Sequence, residues 1–233
     1  MTHSRQRLAQ SPSLPPLNIL AVSDKVLESH HSIDVQQRYP DVDLLIGCGD
    51  LPYYYLDFLV SALNTPMVYV LGNHDAGRQY SSTRGELKGV RGGTNIHGRC
   101  VNEQGVLIAG LEGSMRYRPN RTQQYSQSEM WRNVVQLFPK LLMNRIRHGR
   151  YLDMLVAHSP PSGIHDKADL THQGFKSFLT LMKLFRPRYL LHGHIHHNQQ
   201  YNRPISQYLD TSIINVYPNY YFQLADISAS EIS

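Results

Sequence analysis

Five short, mostly apolar runs, each closed by residues that bind ions or make tight turns, constrain this chain more than any other feature. Leu17–Val22 runs into Asp24, Val42–Gly47 into Cys48-Gly49-Asp50, and Pro66–Leu71 into Gly72-Asn73-His74-Asp75. Met154–Ala157 runs into His158, and Tyr189–Leu191 into His192-Gly193-His194-Ile195-His196. Runs this short and apolar read as buried strands. Residues 25–39, which stop before Pro40, and Tyr53–Leu63 carry helical character between them. The β-α-β-α-β alternation predicts a layered α/β fold. In open α/β sheets ligands sit beyond the carboxyl ends of strands, so the five endings predict one shared crevice.

A chain of 233 residues is expected to bury roughly 70% of its extended surface, enough for a full core. We find no internal repeat and no clear linker, so one domain over 17–233 is expected, preceded by a flexible polar leader at 1–16. The leader contains Pro12, Pro15 and Pro16 and has no apolar core, which excludes a secretory signal reading. No apolar run approaches the ~18 residues of a membrane span, so no membrane partner is expected. Two cysteines, Cys48 and Cys100, make no disulfide framework, and a cytoplasmic protein is the expectation. The net charge of +5 is spread along the chain, with Arg145, Arg147 and Arg150 its densest patch. That balance suits anionic substrates; nucleic acid is a possible partner but not the favoured one.

The middle of the chain changes character. Residues 76–95 read as loops. Ile96–Val101 and Val106–Leu111, split by Asn102-Glu103-Gln104-Gly105, read as a hairpin. Ser126–Arg147 repeats apolar residues at helical spacing (Met130, Val134, Leu137, Leu141), with a kink expected at Pro139. Residues 113–150 are a candidate accessory cap. A helix is expected over Gly174–Phe185, and strands over Ser212–Val216 and Tyr220–Leu224.

Two carboxylates, an amide and several imidazoles at one crevice are metal chemistry. This mixture of donors suits a borderline divalent ion such as Mn²⁺, Fe²⁺ or Zn²⁺. Two ions ~3.5–4 Å apart can share a carboxylate and activate both water and a phosphoryl oxygen.

The ordered set Asp24, Gly49-Asp50, Gly72-Asn73-His74-Asp75, His158 and Gly193-His194-Ile195-His196 resembles the calcineurin-like metallophosphoesterase superfamily, from about residue 17 to residue 197. The resemblance implies a four-layer α-β-β-α sandwich and a metal-dependent phosphoesterase in which metal-bound hydroxide attacks phosphorus. It implies one or two divalent ions, Mn²⁺ foremost. Asp50 would bridge both; Asn73, His158 and His194 would complete one site; Asp24 and His196 would serve the other. His74 would act as general acid or oxyanion donor, with Asp75 orienting it. Where the superfamily usually has Asp-x-His, this chain has Asp24-Lys25-Val26, and Val26 cannot bind a metal. Three readings stay open: water fills the place and the second ion is weak, a donor arrives from Glu28, His30 or His31, or only one ion binds. The loop Ser159-Pro160-Pro161-Ser162-Gly163 resembles a subgroup of uncharacterised phosphoesterases. After it, His165 and Asp166 are candidates for the substrate pocket, as is Arg116, whose guanidinium can either fork a phosphate or pair with a nearby acid. The expected substrate is a phosphorylated small molecule or nucleotide, with phosphodiesters favoured over phosphoproteins. The competing readings are a non-catalytic metal-binding scaffold with a degenerate site, and a nuclease.

Overall fold

The computed structural model describes residues 15–30, 32, 34–81, 85–197 and 204–224. The leader expected over 1–16 lies outside them apart from Pro15 and Pro16. In chain order the described residues form β1 (Asn18–Val22), α1 (Val35–Arg38), β2 (Leu44–Gly47), α2 (Tyr53–Leu63), β3 (Met67–Tyr69), β4 (Gln79–Ser81), β5 (Gly85–Leu87), β6 (Gly93–Asn95), β7 (Cys100–Glu103), β8 (Val106–Leu111), β9 (Ser114–Met115), β10 (Gln124–Tyr125), α3 (Gln127–His148), β11 (Met154–Ala157), α4 (Lys176–Phe185), β12 (Tyr189–His192), β13 (Ile205–Tyr208), β14 (Thr211–Asn215) and β15 (Asn219–Gln223).

Two mixed sheets form the centre, in the orders β15-β1-β2-β3-β6 and β13-β14-β12-β11-β8-β7. Within them β1, β2, β3 and β6 run parallel, as do β8, β11, β12 and β14. Antiparallel β15, β13 and β7 close the edges. Alternation along each strand sends one set of side chains inward and the next outward. Ile19, Ala21, Leu44, Ile46 and Val68 of the first sheet meet Ile108, Met154, Val156, Leu191 and Ile214 of the second in a shared core. The opposite face of the first sheet, through Leu20, Leu45 and Met67, packs on Tyr55, Leu56 and Leu59 of α2. The opposite face of the second, through Ala109, Leu155, Leu190 and Ile213, packs on α3 and α4. Helix, sheet, sheet and helix are therefore stacked in that order, the α-β-β-α sandwich.

The sequence makes α3 self-sufficient at both ends. Ser126 and Glu129 form a reciprocal capping box, and Gly149 closes the last turn in the left-handed region (φ 73°). Met130, Val134, Leu137 and Leu141 are buried at spacings of four, three and four, while exposed Pro139 lies inside an uninterrupted helix. Residues 113–150 thus divide: α3 belongs to the outer layer, and the loop before it runs over the strand ends.

Three local expectations are corrected. Residues 76–95, read as loops, carry the short strands β4, β5 and β6, the last of which joins the first sheet beside β3. Among the described residues of 25–39 there is only a 3₁₀ turn, Glu28–His30, and the short α1. Ser29, Ser32 and Asp34 offer the backbone competing hydrogen bonds, and His30 is buried against Tyr39, Tyr55 and Asn219 instead of following a helix face. The hairpin expected from Ile96 begins later, with Cys100–Glu103 pairing Val106–Ala109. Its turn sits at Gln104-Gly105, both at positive φ (51° and 88°), as a tight two-residue hairpin requires. Ile96 is claimed by the first sheet, its amide donating to the Tyr69 carbonyl at 3.0 Å. Among the described residues no helix is long and apolar enough to cross a membrane.

Candidate metal centre

The parallel strands of both sheets deliver their last residues to one place. Asp24 follows β1, Asp50 follows β2, Asn73 and His74 follow β3, His158 follows β11, and His194 and His196 follow β12. Asp24, Asp50 and His194 all stand in the left-handed region, at φ 63°, 56° and 66°. Such conformations cost about 1–3 kcal/mol each and persist where the surroundings dictate them.

Asp50, His158 and His194 each bring one donor atom to within 4.8 Å of the other two. His158 is wholly buried, and its Nδ1 lies 2.8 Å from the Cys48 carbonyl, to which it donates. That bond leaves Nε2 facing the centre, 3.1 Å from Asn73 Oδ1 and 3.3 Å from Asp50 Oδ2. His194 Nε2 donates to the Thr171 carbonyl at 2.8 Å, which frees Nδ1. Carbonyls that fix the tautomer of a ligating histidine are the usual partners of metal-site imidazoles. Asn73 is oriented in turn by its Nδ2, which donates to the Tyr117 hydroxyl at 3.2 Å.

Asp24 and His196 stand alongside, His196 Nε2 lying 3.3 Å from Asp24 Oδ1. The other Asp24 oxygen accepts the His194 amide at 2.9 Å and the Ser23 hydroxyl. His196 is stacked on Tyr217, ring centroids 4.4 Å apart. Val26 is turned into the hydrophobic cluster under the first sheet. Glu28 is exposed, both ring nitrogens of His30 are engaged by Tyr39, Asn219 and Tyr55, and His31 lies outside the described residues. Neither Glu28 nor His30 joins the cluster of converging donors.

Close approach explains two glycines. A Cβ at Gly72 would collide with the Asp50 carboxylate, and one at Gly193 with the Ser23 hydroxyl and the Asp24 carboxylate. Any side chain there would displace one of these carboxylates.

The electrostatics match a site built for a cation. Burial would raise the Asp50 carboxyl, but the adjacent His158 ring and the His74 amide outweigh it and hold Asp50 at about 2. Burial likewise lowers His158, yet the Asp50 carboxylate beside it prevails and raises it to about 10. Burial, with the charge on His158, lowers His194 to about 4.

Other expected site residues lie elsewhere. Asp75 does not reach the His74 ring. Its Oδ2 accepts the Gly72 and Asp50 amides, each at 2.8 Å, so it ties two ligand loops together. Burial and nearby Asp50 raise its carboxyl to about 6. The His74 ring is exposed, while its amide donates to Asp50 Oδ1 at 2.8 Å. Arg116 is drawn to Glu129 Oε2 at 2.8 Å and to the Gln124 carbonyl, the acid-pairing alternative rather than a free phosphate fork. His165 bridges His192 Nε2 and the Ser206 hydroxyl, both at 2.9 Å, and Asp166 accepts the Gly174 amide at 3.1 Å. Both hold the loop after His158 instead of an open pocket. Ser23, Tyr117 and the Cys48 and Thr171 carbonyls were not foreseen; only Ser23 carried a signal, its position beside Asp24.

A sandwich with carboxylate, amide and imidazole donors on the strand ends defines a class of metal-binding phosphoesterase domains. The sequence pattern of the calcineurin-like phosphoesterases matches residues 19–198, and the chain belongs to that family, whose members bind divalent metals. It is 26% identical over 208 residues to a UPF0046 protein of Caenorhabditis elegans, covering 78% of this chain and 64% of the worm protein. The chain thus spans less than two thirds of that relative. An uncharacterized protein of Haemophilus influenzae is 30% identical over 181 residues, 67% of this chain and 74% of the bacterial one. Among solved structures, TT1561 of Thermus thermophilus shares the fold with a TM-score of 0.59 at 18% identity, covering 91% of this chain and 92% of that one. GAP50, the anchor in the inner membrane complex of Plasmodium, does so at 0.52 and 13%, covering 86% and 71%.

Proposed function

We propose that this chain is a cytoplasmic phosphodiesterase, with Mn²⁺ as its working ion and a small phosphorylated molecule or nucleotide as its substrate. The convergence of Asp50, His158 and His194 donors within 4.8 Å carries the reading. Asp50, Asn73, His158 and His194 would hold the first ion. Asp24, Asp50 and His196 would hold a second, more weakly, because Val26 supplies no donor. Divalent ions held there would supply Lewis acidity to phosphoryl oxygens and lower the pKa of water. The protein's own residues do the rest. Tautomers fixed by Cys48 and Thr171 keep lone pairs aimed at the centre. Asp75 holds the two ligand loops in register. His74, tethered through its amide to Asp50 and exposed at the ring, would hold a proton for the departing oxygen.

Metal-stripped protein should gain turnover of bis(p-nitrophenyl) phosphate as Mn²⁺ is added, exceed its turnover of p-nitrophenyl phosphate, and lose both in Asp50→Asn. A monoester preference would overturn the diester assignment. A second reading, a metal-binding scaffold without turnover, is favoured by Val26 alone. Tight metal binding with no hydrolysis of either ester would establish it.

A further inference from the structure

The two helices that cover the outer face of the second sheet hold the whole of the chain's charge excess. α3 and α4 contain six Lys or Arg residues (Arg132, Lys140, Arg145, Arg147, Lys176 and Lys183) against one acid, Glu129. Their excess of five equals the +5 of the entire sequence, so the rest of the chain is balanced. All six cations are exposed, and Glu129 is already paired with Arg116 at 2.8 Å. Charge that is spread along the sequence is thus gathered by the fold on one side of the sandwich. The same layer carries an apolar stripe in the open. Val135, Leu142, Met143 and Ile146 of α3 are 43–79% exposed, and exposed Pro139 lies among them. At ~100° per residue these five fall within an arc of roughly 100°, across the helix from buried Met130, Val134, Leu137 and Leu141. Single exposed apolar residues are ordinary, but an aligned stripe rimmed by charge marks an interaction surface. α4 lies alongside, Phe138 against Phe185 with ring centroids 4.8 Å apart, and exposes Leu184 beside Lys183. Trp131, the chain's one tryptophan, is half-buried at the edge of the stripe.

We infer that the outer face of α3, with α4 beside it, docks on an anionic phospholipid surface. A second copy of the chain is a poor occupant, because it would set one positive layer against another. An acidic protein would offer a local patch of negative charge. The cations here are instead spread over two helices, α3 alone being about 33 Å long, which fits a plane charged throughout. Apolar side chains at the centre of a face with Lys and Arg around them are the layout of helices that lie in a membrane interface. The apolar groups enter the boundary, and the long cationic side chains reach the headgroups. Lack of a spanning run has no bearing on a helix lying in the plane of the membrane. None of the six metal-ligating residues is on α3 or α4, so the inference stands apart from the phosphoesterase reading.

The test is co-sedimentation of the full-length protein with vesicles of phosphatidylcholine alone and of phosphatidylcholine mixed with phosphatidylserine, read alongside Trp131 emission. The mixed vesicles should bind about tenfold or more tighter than the neutral ones, lose most of that advantage in high salt, and shift Trp131 emission to the blue. Arg145→Gln/Arg147→Gln and, separately, Leu142→Ser/Ile146→Ser should each weaken binding about tenfold or more. All four side chains are exposed, so both variants should keep the circular dichroism of the unaltered protein. Binding to neither vesicle, equal binding to both, Trp131 emission unmoved at saturation, or binding that survives either pair of substitutions would overturn the inference. So would a dimer in sedimentation equilibrium that Leu142→Ser/Ile146→Ser dissolves, because a second copy would then cover the stripe.

Discussion

Replacing Tyr117 with phenylalanine removes one hydroxyl and keeps the ring, including its contact with the Arg118 guanidinium 5.6 Å from the centroid. The hydroxyl accepts from Asn73 Nδ2 at 3.2 Å, and Asn73 Oδ1 faces the centre 3.1 Å from His158 Nε2. Without the tether the amide is free to rotate, and its oxygen is no longer held toward an ion. A neutral hydrogen bond contributes about 0.5–1.5 kcal/mol, which at about 1.4 kcal/mol per tenfold is roughly a two- to twelve-fold loss of affinity. Partners that orient metal ligands elsewhere are worth about 10–100-fold. A neutral bond on a half-buried ring belongs at the low end, so the expected loss is about three- to ten-fold. Competition of the metal-free protein with a chromogenic chelator for Mn²⁺ reads it, with Asn73→Ala as the larger reference loss. Tyr117→Phe should lower the melting temperature by about 2–4 °C, the effect of about 1 kcal/mol at the buried Asn73 amide it leaves unpaired. Affinity unchanged in Tyr117→Phe but lowered in Asn73→Ala would refute the reasoning, because Asn73 would then be oriented without the tyrosine.

Gly193→Ala should destabilise the fold by about 1–3 kcal/mol in urea unfolding, as an added methyl must displace Ser23 or Asp24; unchanged stability would mean the strand end yields freely. His165→Ala should cost about 1–3 kcal/mol by the same assay, because it strips the partner from buried His192 Nε2. Asp50 and His158 each make the stability of the metal-free protein depend on pH. Asp50, depressed to about 2, contributes above its unfolded value and loses that contribution as pH falls through 2. His158, raised to about 10, contributes fully below its unfolded value of 6.5 and loses that contribution as pH rises through 10. His158→Ala should therefore cost the metal-free protein more stability at pH 5 than at pH 9.5, read as unfolding midpoints in chelator, and an equal cost at both would contradict the reasoning.

The strands were legible because parallel strands buried on both faces must be nearly all apolar, as Leu44-Leu45-Ile46 and Met154-Leu155-Val156 are. The convergence of Asp50, His158 and His194 was legible because each closely follows such a run. What the sequence hid falls into two kinds. Backbone partners carry no side-chain signature, so the Cys48 and Thr171 carbonyls that fix two imidazoles could not be read. Charged side chains choose among partners in space: Arg116 meets Glu129 across thirteen residues, and Asp75 turns from His74 to amides three and twenty-five residues away. The segment 25–39 failed for a third reason. Its helical composition was overridden by burial of His30 among Tyr39, Tyr55 and Asn219, the last of them 189 residues away.

The central claim is that donors from both sheets make one strong metal site and, because of Val26, one weak one. Equilibrium dialysis against Mn²⁺ with the bound metal counted tests it directly, on the unaltered protein, His158→Ala and His196→Ala. One tight equivalent and a second, weaker one are predicted, the tight one lost in His158→Ala and only the weak one lost in His196→Ala. Two equally tight ions, or a tight ion that survives His158→Ala, would contradict the account.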